Sequence, residues 1–274
     1  MPYSRFLFVP ALMAFAAAPA AAQTDYYNTD RHRPLRIEDA YPAERYSFDF
    51  HVAPVRFERH GPGFHDWTIE PELAYGILPR THLEIGAPFR WSDTPLGGTA
   101  GLAGVELSLL HALNIETASV PALGLRATAA LPAGPFGPDE VLPSLQANVT
   151  RTFRWLRVHT NFEYTFAGEE ECDPAAACDA VDHPQWLAGI AIDKTFPLRS
   201  VLVGAEVFAT RPMNTSELGW TAGFGARYQL DPLWALDGGV GIRLGEDDRY
   251  PWYLTAGVAR VFALRSLLPR RRIR

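Results

Sequence analysis

From residue 45 to residue 262 the chain alternates apolar and polar side chains with period two, in segments separated by Gly, Pro and Asp. Only extended strands satisfy such a pattern, because successive strand side chains point to opposite faces. Trp67, Ile69, Leu73, Tyr75 and Ile77 share one face, with Thr68, Glu70, Glu72, Ala74 and Gly76 on the other. Leu218, Trp220, Ala222, Phe224, Ala226 and Tyr228 stand in the same way against Gly219, Thr221, Gly223, Gly225 and Arg227. No window sustains the 3.6-residue period of an amphipathic helix. The pattern predicts an all-β fold, a single antiparallel transmembrane β-barrel of about twelve strands of roughly ten residues each. They start near residues 45, 65, 81, 101, 121, 142, 156, 185, 200, 216, 233 and 251.

The connections separate a barrel from a soluble sandwich. Tight turns at residues 78–80, 154–155, 197–199 and 231–232 alternate with longer loops at 59–64, 92–100, 132–141, 167–184, 211–215 and 245–250. Short turns on one side and long loops on the other are the habit of outer-membrane barrels. A soluble sandwich shares the period-two alternation but gives no reason for this rhythm.

Three features assign the apolar face to lipid. The opposite face carries charges of both signs among Gly, Ser and Thr. Glu70, Glu72, Glu84, Arg90, Glu106, Arg126, Arg157, Glu163, Glu206, Arg227 and Arg243 are the expected lumen lining. The tryptophans fall at strand ends, Trp67, Trp91, Trp186, Trp220 and Trp252 by the loops and Trp155 and Trp234 by the turns. Such rings suit the headgroup girdle of a membrane. The last strand alternates into a terminal aromatic, Phe262, although Arg260 interrupts its apolar face.

Residues 1–22 read as a signal peptide: Arg5, an apolar stretch broken by Pro10, then Ala20-Ala21-Ala22 before Gln23. Residues 23–44 are polar and proline-punctuated and read as a periplasmic leader without a core of its own. Residues 45–262 are the barrel and 263–274 a basic tail with Arg265, Arg270, Arg271, Arg272 and Arg274. A mean hydropathy of −0.07 argues against a bundle of membrane helices. The net charge of −6 argues against nucleic-acid binding.

Exported chains meet oxidising conditions, so Cys172 and Cys178, in the longest loop, are expected to form a small disulfide. Nearby His183 leaves a metal site as the alternative. His51, His82 and His159 share the lumen face with acids, but no nucleophile–base spacing is visible, and Ser108 and His111 fall on opposite faces. Neither catalysis, a cofactor nor a resident metal is expected. Gly238-Gly239-Val240-Gly241 lies on a strand, where glycine allows close packing rather than phosphate binding.

A Leu-Pro-Arg turn leads into Thr81-His-Leu-Glu-Ile-Gly-Ala-Pro-Phe-Arg. A polar loop follows, then Gly101-Leu-Ala-Gly-Val-Glu-Leu-Ser-Leu-Leu and Pro121-Ala-Leu-Gly-Leu-Arg-Ala-Thr-Ala-Ala-Leu-Pro-Ala-Gly. This succession, covering residues 70–134, resembles the outer-membrane barrels of the MetA-pathway phenol-degradation family. Glu106 stands later than the family's usual aspartate, and Pro132-Ala133-Gly134 takes the place of its Pro-x-Gly. The resemblance implies an outer-membrane protein passing small, often hydrophobic or aromatic, molecules. It transfers no ligand residues.

Together these readings imply a passive pore or facilitator for a small-molecule solute. Its partners would be outer-membrane lipid and the barrel-assembly machinery, with lumen charges setting selectivity. The alternatives are a closed structural barrel and, further off, an outer-membrane hydrolase. If wall charges pair with one another, Arg126 and Glu106 on adjacent strands, and Arg157 with the strand after it, have the geometry. A partly wet lumen is expected, since Gly and Thr leave space between the charges.

Overall fold

The computed structural model describes residues 28–264 and 266–268, apart from 62, 96, 167–183, 213–217 and 246–250. The expected signal peptide at residues 1–22, the Cys172–Cys178 pair and the arginines of the tail therefore lie outside the described residues. Fourteen β-segments form one sheet. They are β1 (Phe48–Gly61), β2 (Phe64–Leu78), β3 (Thr81–Gly86), β4 (Phe89–Thr94), β5 (Gly97–Leu102), β6 (Val105–Ala112) and β7 (Ala122–Leu131). Then follow β8 (Leu142–Thr152), β9 (Arg157–Thr165), β10 (Pro184–Phe196), β11 (Val201–Pro212), β12 (Gly219–Asp231), β13 (Trp234–Leu244) and β14 (Trp252–Phe262).

The fourteen segments make twelve strands. β3 and β4 both pair with β2, and they are two halves of one strand broken at Ala87-Pro88, where proline removes a ladder donor. β5 and β6 pair with β4 and β3 in turn, and break at Ala103-Gly104, where Gly104 takes a φ of 92°. β1 pairs with β14 from Phe48↔Phe262 to Arg59↔Trp252, and on its other side with β2. The sheet thus closes into an antiparallel barrel with no free edge. At the seam Phe48 stacks between Tyr75 and Phe262, with ring centroids 4.4 and 5.2 Å away.

The alternation read from the sequence is the alternation of faces. On β12, Trp220, Phe224 and Tyr228 are exposed, while Thr221 and Arg227 are buried. Leu83, Ile85, Leu107, Leu125, Leu145, Phe162, Ile190 and Leu254 extend the exposed apolar belt over the other strands. Exposure on this scale is abnormal for a water-facing surface and is what hydrocarbon requires. The aromatic rims are present: Trp67, Trp91 and Trp220 are exposed at the loop end, and Trp155 at the turn end.

One expectation needs correction. The segment read as a periplasmic leader does not stay clear of the barrel: residues 28–40 lie inside it, and 41–44 lead back to the turn end. Leu35, Ile37, Glu38, Asp39 and Ala40 are all buried, although the segment forms neither a helix nor a strand. It lacks a core of its own because the barrel wall supplies one.

The belt generates a direct test. Phe224→Arg puts a charge on the lipid face and should cost about 2–4 kcal/mol if it falls near the bilayer midplane. Thr221→Arg, on the inner face of the same strand, should assemble with far less loss. Refolding into lipid vesicles under a urea gradient measures both; equal losses would contradict the assignment of faces.

Candidate functional site

The inner face is built from residues that the alternation turns away from lipid, and the N-terminal segment binds it through partners on strands from β1 round to β13. The segment folds back on itself: the Asp39 amide donates to Thr29 O (3.0 Å), and the Thr29 amide donates to the Asp39 carboxylate (3.0 Å). This loop reaches into the lumen and then returns to the turn end. There the Ala43 amide donates to His82 Nδ1 (3.0 Å) and the Tyr46 amide to Gly76 O (2.7 Å).

Glu38 is the centre of the polar packing. Its carboxylate accepts from Arg126 Nε (2.9 Å) and Nη2 (2.7 Å), Gln146 Nε2 (2.7 Å) and Asn148 Nδ2 (2.9 Å). Arg126 Nη1 also donates to Glu84 (2.9 Å) and to Ser108 Oγ (2.7 Å). Arg126 and Glu38 are each about 98% buried. A two-pronged guanidinium–carboxylate contact satisfies both planar groups at once, which makes the pair tolerable away from bulk water.

The segment's own cations reach other strands. Arg31 donates to Glu106 on β6 (3.0 Å) and Glu163 on β9 (3.4 Å). His32 Nδ1 lies 2.9 Å from Glu70 on β2. Arg33 donates to Asp237 on β13 (3.1 Å) and contacts Asp30 and His51. Glu206 on β11 accepts the backbone amides of both Arg36 and Ile37 at 2.9 Å. Arg227 in return donates to Asp237, to Asp30 (3.0 Å) and to the carbonyls of Asn28 and Arg33.

Shape complements charge. Leu35 and Ile37 pack with Leu187, Ala191 and Phe208. The wall opposite is pared to glycine where the segment comes closest. A Cβ on Gly225 would stand 2.8 Å from Pro34 Cβ, and one on Gly204 2.8 Å from Leu35 Cδ1. One glycine of the Gly238-Gly239-Val240-Gly241 cluster has the same role, since a Cβ at Gly239 would fall 2.6 Å from Pro34 O.

The eleven expected lining residues divide by partner. Glu70, Glu106, Glu163 and Glu206 meet the segment, as do Arg126 and Arg227. Glu84 binds Arg126, and Glu72 is buried 3.6 Å from His51 Nδ1. Arg157 pairs with Asp193 on the following strand (2.9 Å), as its position allowed. Arg90 pairs with Asp66, while Arg243 is exposed near the loop end of β13. The expected Arg126–Glu106 contact does not form: Arg126 takes Glu38 and Glu84, and Glu106 takes Arg31. Space left by the wall glycines receives Pro34 and Leu35 of the N-terminal segment.

The partners missed from the sequence are Asp30, Arg31, His32, Arg33, Glu38, Asp39, Asp193 and Asp237. Two signals pointed their way: the charge density of residues 30–39 and the unusually small inner faces of β12 and β13.

Two sets could in principle hold a metal. Asp30, Asp49 and His51, and His32, Glu70 and Glu72, each bring ligand atoms within 4.8 Å of one another. In the first, the Asp30 carboxylate already holds the guanidinium groups of Arg33 and Arg227. A relay also exists, from Thr150 Oγ1 to His159 Nδ1 (3.0 Å) and from His159 Nε2 to Asp193 (2.7 Å). Thr150 is fully buried and its hydroxyl oxygen accepts the Ala40 amide (3.0 Å), so no substrate reaches it in this state. Ser108 contacts Arg126 and Glu84 rather than a histidine. At the turn end, burial and the adjacent Glu116 carboxylate push the Tyr41 hydroxyl up to about 12.

No protein-family model matches the chain, and no curated protein matches its sequence. Solved structures match its fold. The KdgM porin is 18% identical at a TM-score of 0.50, over 79% of this chain and 99% of that one. The COG4313 outer membrane channel from Pseudomonas putida F1 is 15% identical at 0.55, over 82% and 98%. The NanC porin is 8% identical at 0.51, over 78% and 98%. The chain therefore has the fold of the outer-membrane β-barrels. Within that class it is a twelve-stranded barrel whose N-terminal segment lies in its lumen.

Two variants test this packing. Arg126→Ala strands Glu38 and Glu84 and should destabilise the barrel by about 3–5 kcal/mol. The double variant with Glu38→Gln should lose less than the sum of the two single losses. Heat-induced mobility shifts on gels report the stability of each. Gly225→Val should instead displace the segment, read as faster proteolysis of residues 28–44 with the barrel still folded.

Proposed function

We propose that the protein is an outer-membrane channel for passive diffusion of small molecules, and that residues 28–44 are its gate. Residues 1–22 would export the chain, and the barrel-assembly machinery would insert it. The observation that carries this reading is the origin of the partners. Glu70, Glu106, Glu163, Glu206 and Asp237, on five different strands, bind a tethered peptide and not only donors of the wall. The strand ladder closes without that peptide, so the wall has no need of it for closure. Polar contacts to a segment continuous with the turn end can be exchanged for water when it withdraws, which a packed apolar core would resist. Charged walls then set selectivity in the opened lumen. They give no particular support to the hydrophobic or aromatic solutes that the family resemblance implies. The similarity in fold to porins and a channel supports a pore, and the buried Thr150 relay does not support a hydrolase.

The occupied lumen also favours a second reading, a barrel closed permanently by its own N-terminus. A reversible lock separates the two. A Cβ on Gly124 would lie 3.4 Å from Ala40 Cβ, close enough to bridge with small adjustment. Ala40→Cys with Gly124→Cys, in a chain carrying Cys172→Ser and Cys178→Ser, should show channel openings in planar bilayers when reduced and lose them when oxidised. Arg33→Ala should make openings more frequent. Silence in every state would establish the closed barrel.

A further inference from the structure

The carboxylates that hold the N-terminal segment form a clamp for cations, and the segment fills it with arginine. Arg31 donates to Glu106 and to Glu163, which stand on β6 and β9, with β7 and β8 between them in the sheet. Glu163 is further oriented by Ser144, whose hydroxyl donates to it (3.2 Å). Arg33 donates to Asp237 (3.1 Å). Guanidinium is thus bound at two places on the inner wall, at the first by acids from two strands distant in sequence and at the second by Asp237.

Withdrawal of the segment removes Arg31, Arg33 and Arg36 together with Asp30, Glu38 and Asp39, so what changes is where each wall group finds its partner. The two wall arginines that bind acids of the segment would each keep an acid of the wall, Arg126 with Glu84 and Arg227 with Asp237. Glu70, Glu106, Glu163 and Glu206, on four strands, would lose what the segment gives them. Glu106 and Glu163, which share one guanidinium, then stand as neighbouring acceptors without the donors that the segment supplied. An anionic solute offers these acids no donor and repels them, and an apolar one replaces none of the hydrogen bonds they lose. A small organic cation restores donors to them, and a planar guanidinium reproduces the hydrogen bonds that Arg31 makes.

We propose that the solute class of this channel is small organic cations, guanidinium compounds above all, which bind the Glu106–Glu163 clamp in competition with Arg31. The proposal rests on the channel reading for transport, but the clamp itself can be tested without it. A solute that binds only when the segment is displaced stabilises the open state, so the cargo promotes its own passage.

The test uses the full chain with Arg31→Ala, which leaves the clamp in place and removes the competing guanidinium. Agmatine in the low millimolar range is the probe, and glutamate the control. Titration calorimetry should show agmatine binding to Arg31→Ala about tenfold tighter than to the unaltered protein, the equivalent of one charge-assisted hydrogen bond. Agmatine should also raise the variant's heat stability, and glutamate should do neither. Adding Glu106→Gln and Glu163→Gln should abolish both effects. Should Arg31→Ala fail to refold, Arg33→Ala offers the same test at Asp237. Equal binding of agmatine and glutamate, or agmatine binding that survives loss of both glutamates, would overturn the proposal. In bilayers, openings with cation-favouring reversal potentials support it, and openings that favour anions contradict it. Silent bilayers together with clamp-dependent agmatine binding would refute the channel reading and leave the cation clamp standing.

Discussion

A carboxylate turned toward the interior of a narrow barrel must find a counter-charge, and in this chain much of the counter-charge comes from outside the wall. The strand alternation that gives lipid its apolar belt necessarily turns Glu70, Glu106, Glu163 and Glu206 inward. Neighbouring strands supply some of the balance, as Asp193 does for Arg157. The remainder is met by the N-terminal segment, whose cations and amides are spaced to reach five strands within a few residues. The architecture of the lumen follows from that requirement. Glycines on β11, β12 and β13 make room for Leu35 and Pro34 of the segment, and Phe208 and Leu187 pack with Leu35 and Ile37.

The exchange of charge runs both ways, which makes the arrangement specific. Arg126 and Arg227 on the wall take Glu38 and Asp30 from the segment, while the segment's Arg31 and Arg33 take acids from the wall. A displacement by one residue that brings Asp30 to Glu106 and Glu163 in place of Arg31 would also set Ile37 among the donors that surround Glu38. Each of these contacts is exchanged for hydration when the segment leaves, so a segment held by them is firmly registered yet able to leave.

The barrel was almost wholly legible in the sequence, because strand faces report on lipid with a period of two. The twelve strands start within a few residues of their expected places, and the tryptophan rims follow from position alone. The breaks at Ala87-Pro88 and Ala103-Gly104 are local effects of proline and of a positive φ that the alternation does not signal. The lumen was half legible. The inward acids and arginines were identifiable one by one, but not their partners, since Arg31 finds Glu106 75 residues away and Arg33 finds Asp237 204 residues away. The segment carries no strand or helix period, because its side chains answer to a surrounding wall rather than to a single face.

Amide hydrogen exchange across residues 28–44 in the refolded protein, followed as ionic strength rises, tests the central claim most directly. The amides of Arg36, Ile37, Glu38 and Ala40 all donate to wall side chains, so each reports on the segment's seat in the lumen. Protection at low salt that falls as salt weakens the ion pairs, while the strand amides stay protected, is the expected result. Free exchange at low salt, or protection equal to that of the strands at every salt concentration, would contradict a seated but removable segment.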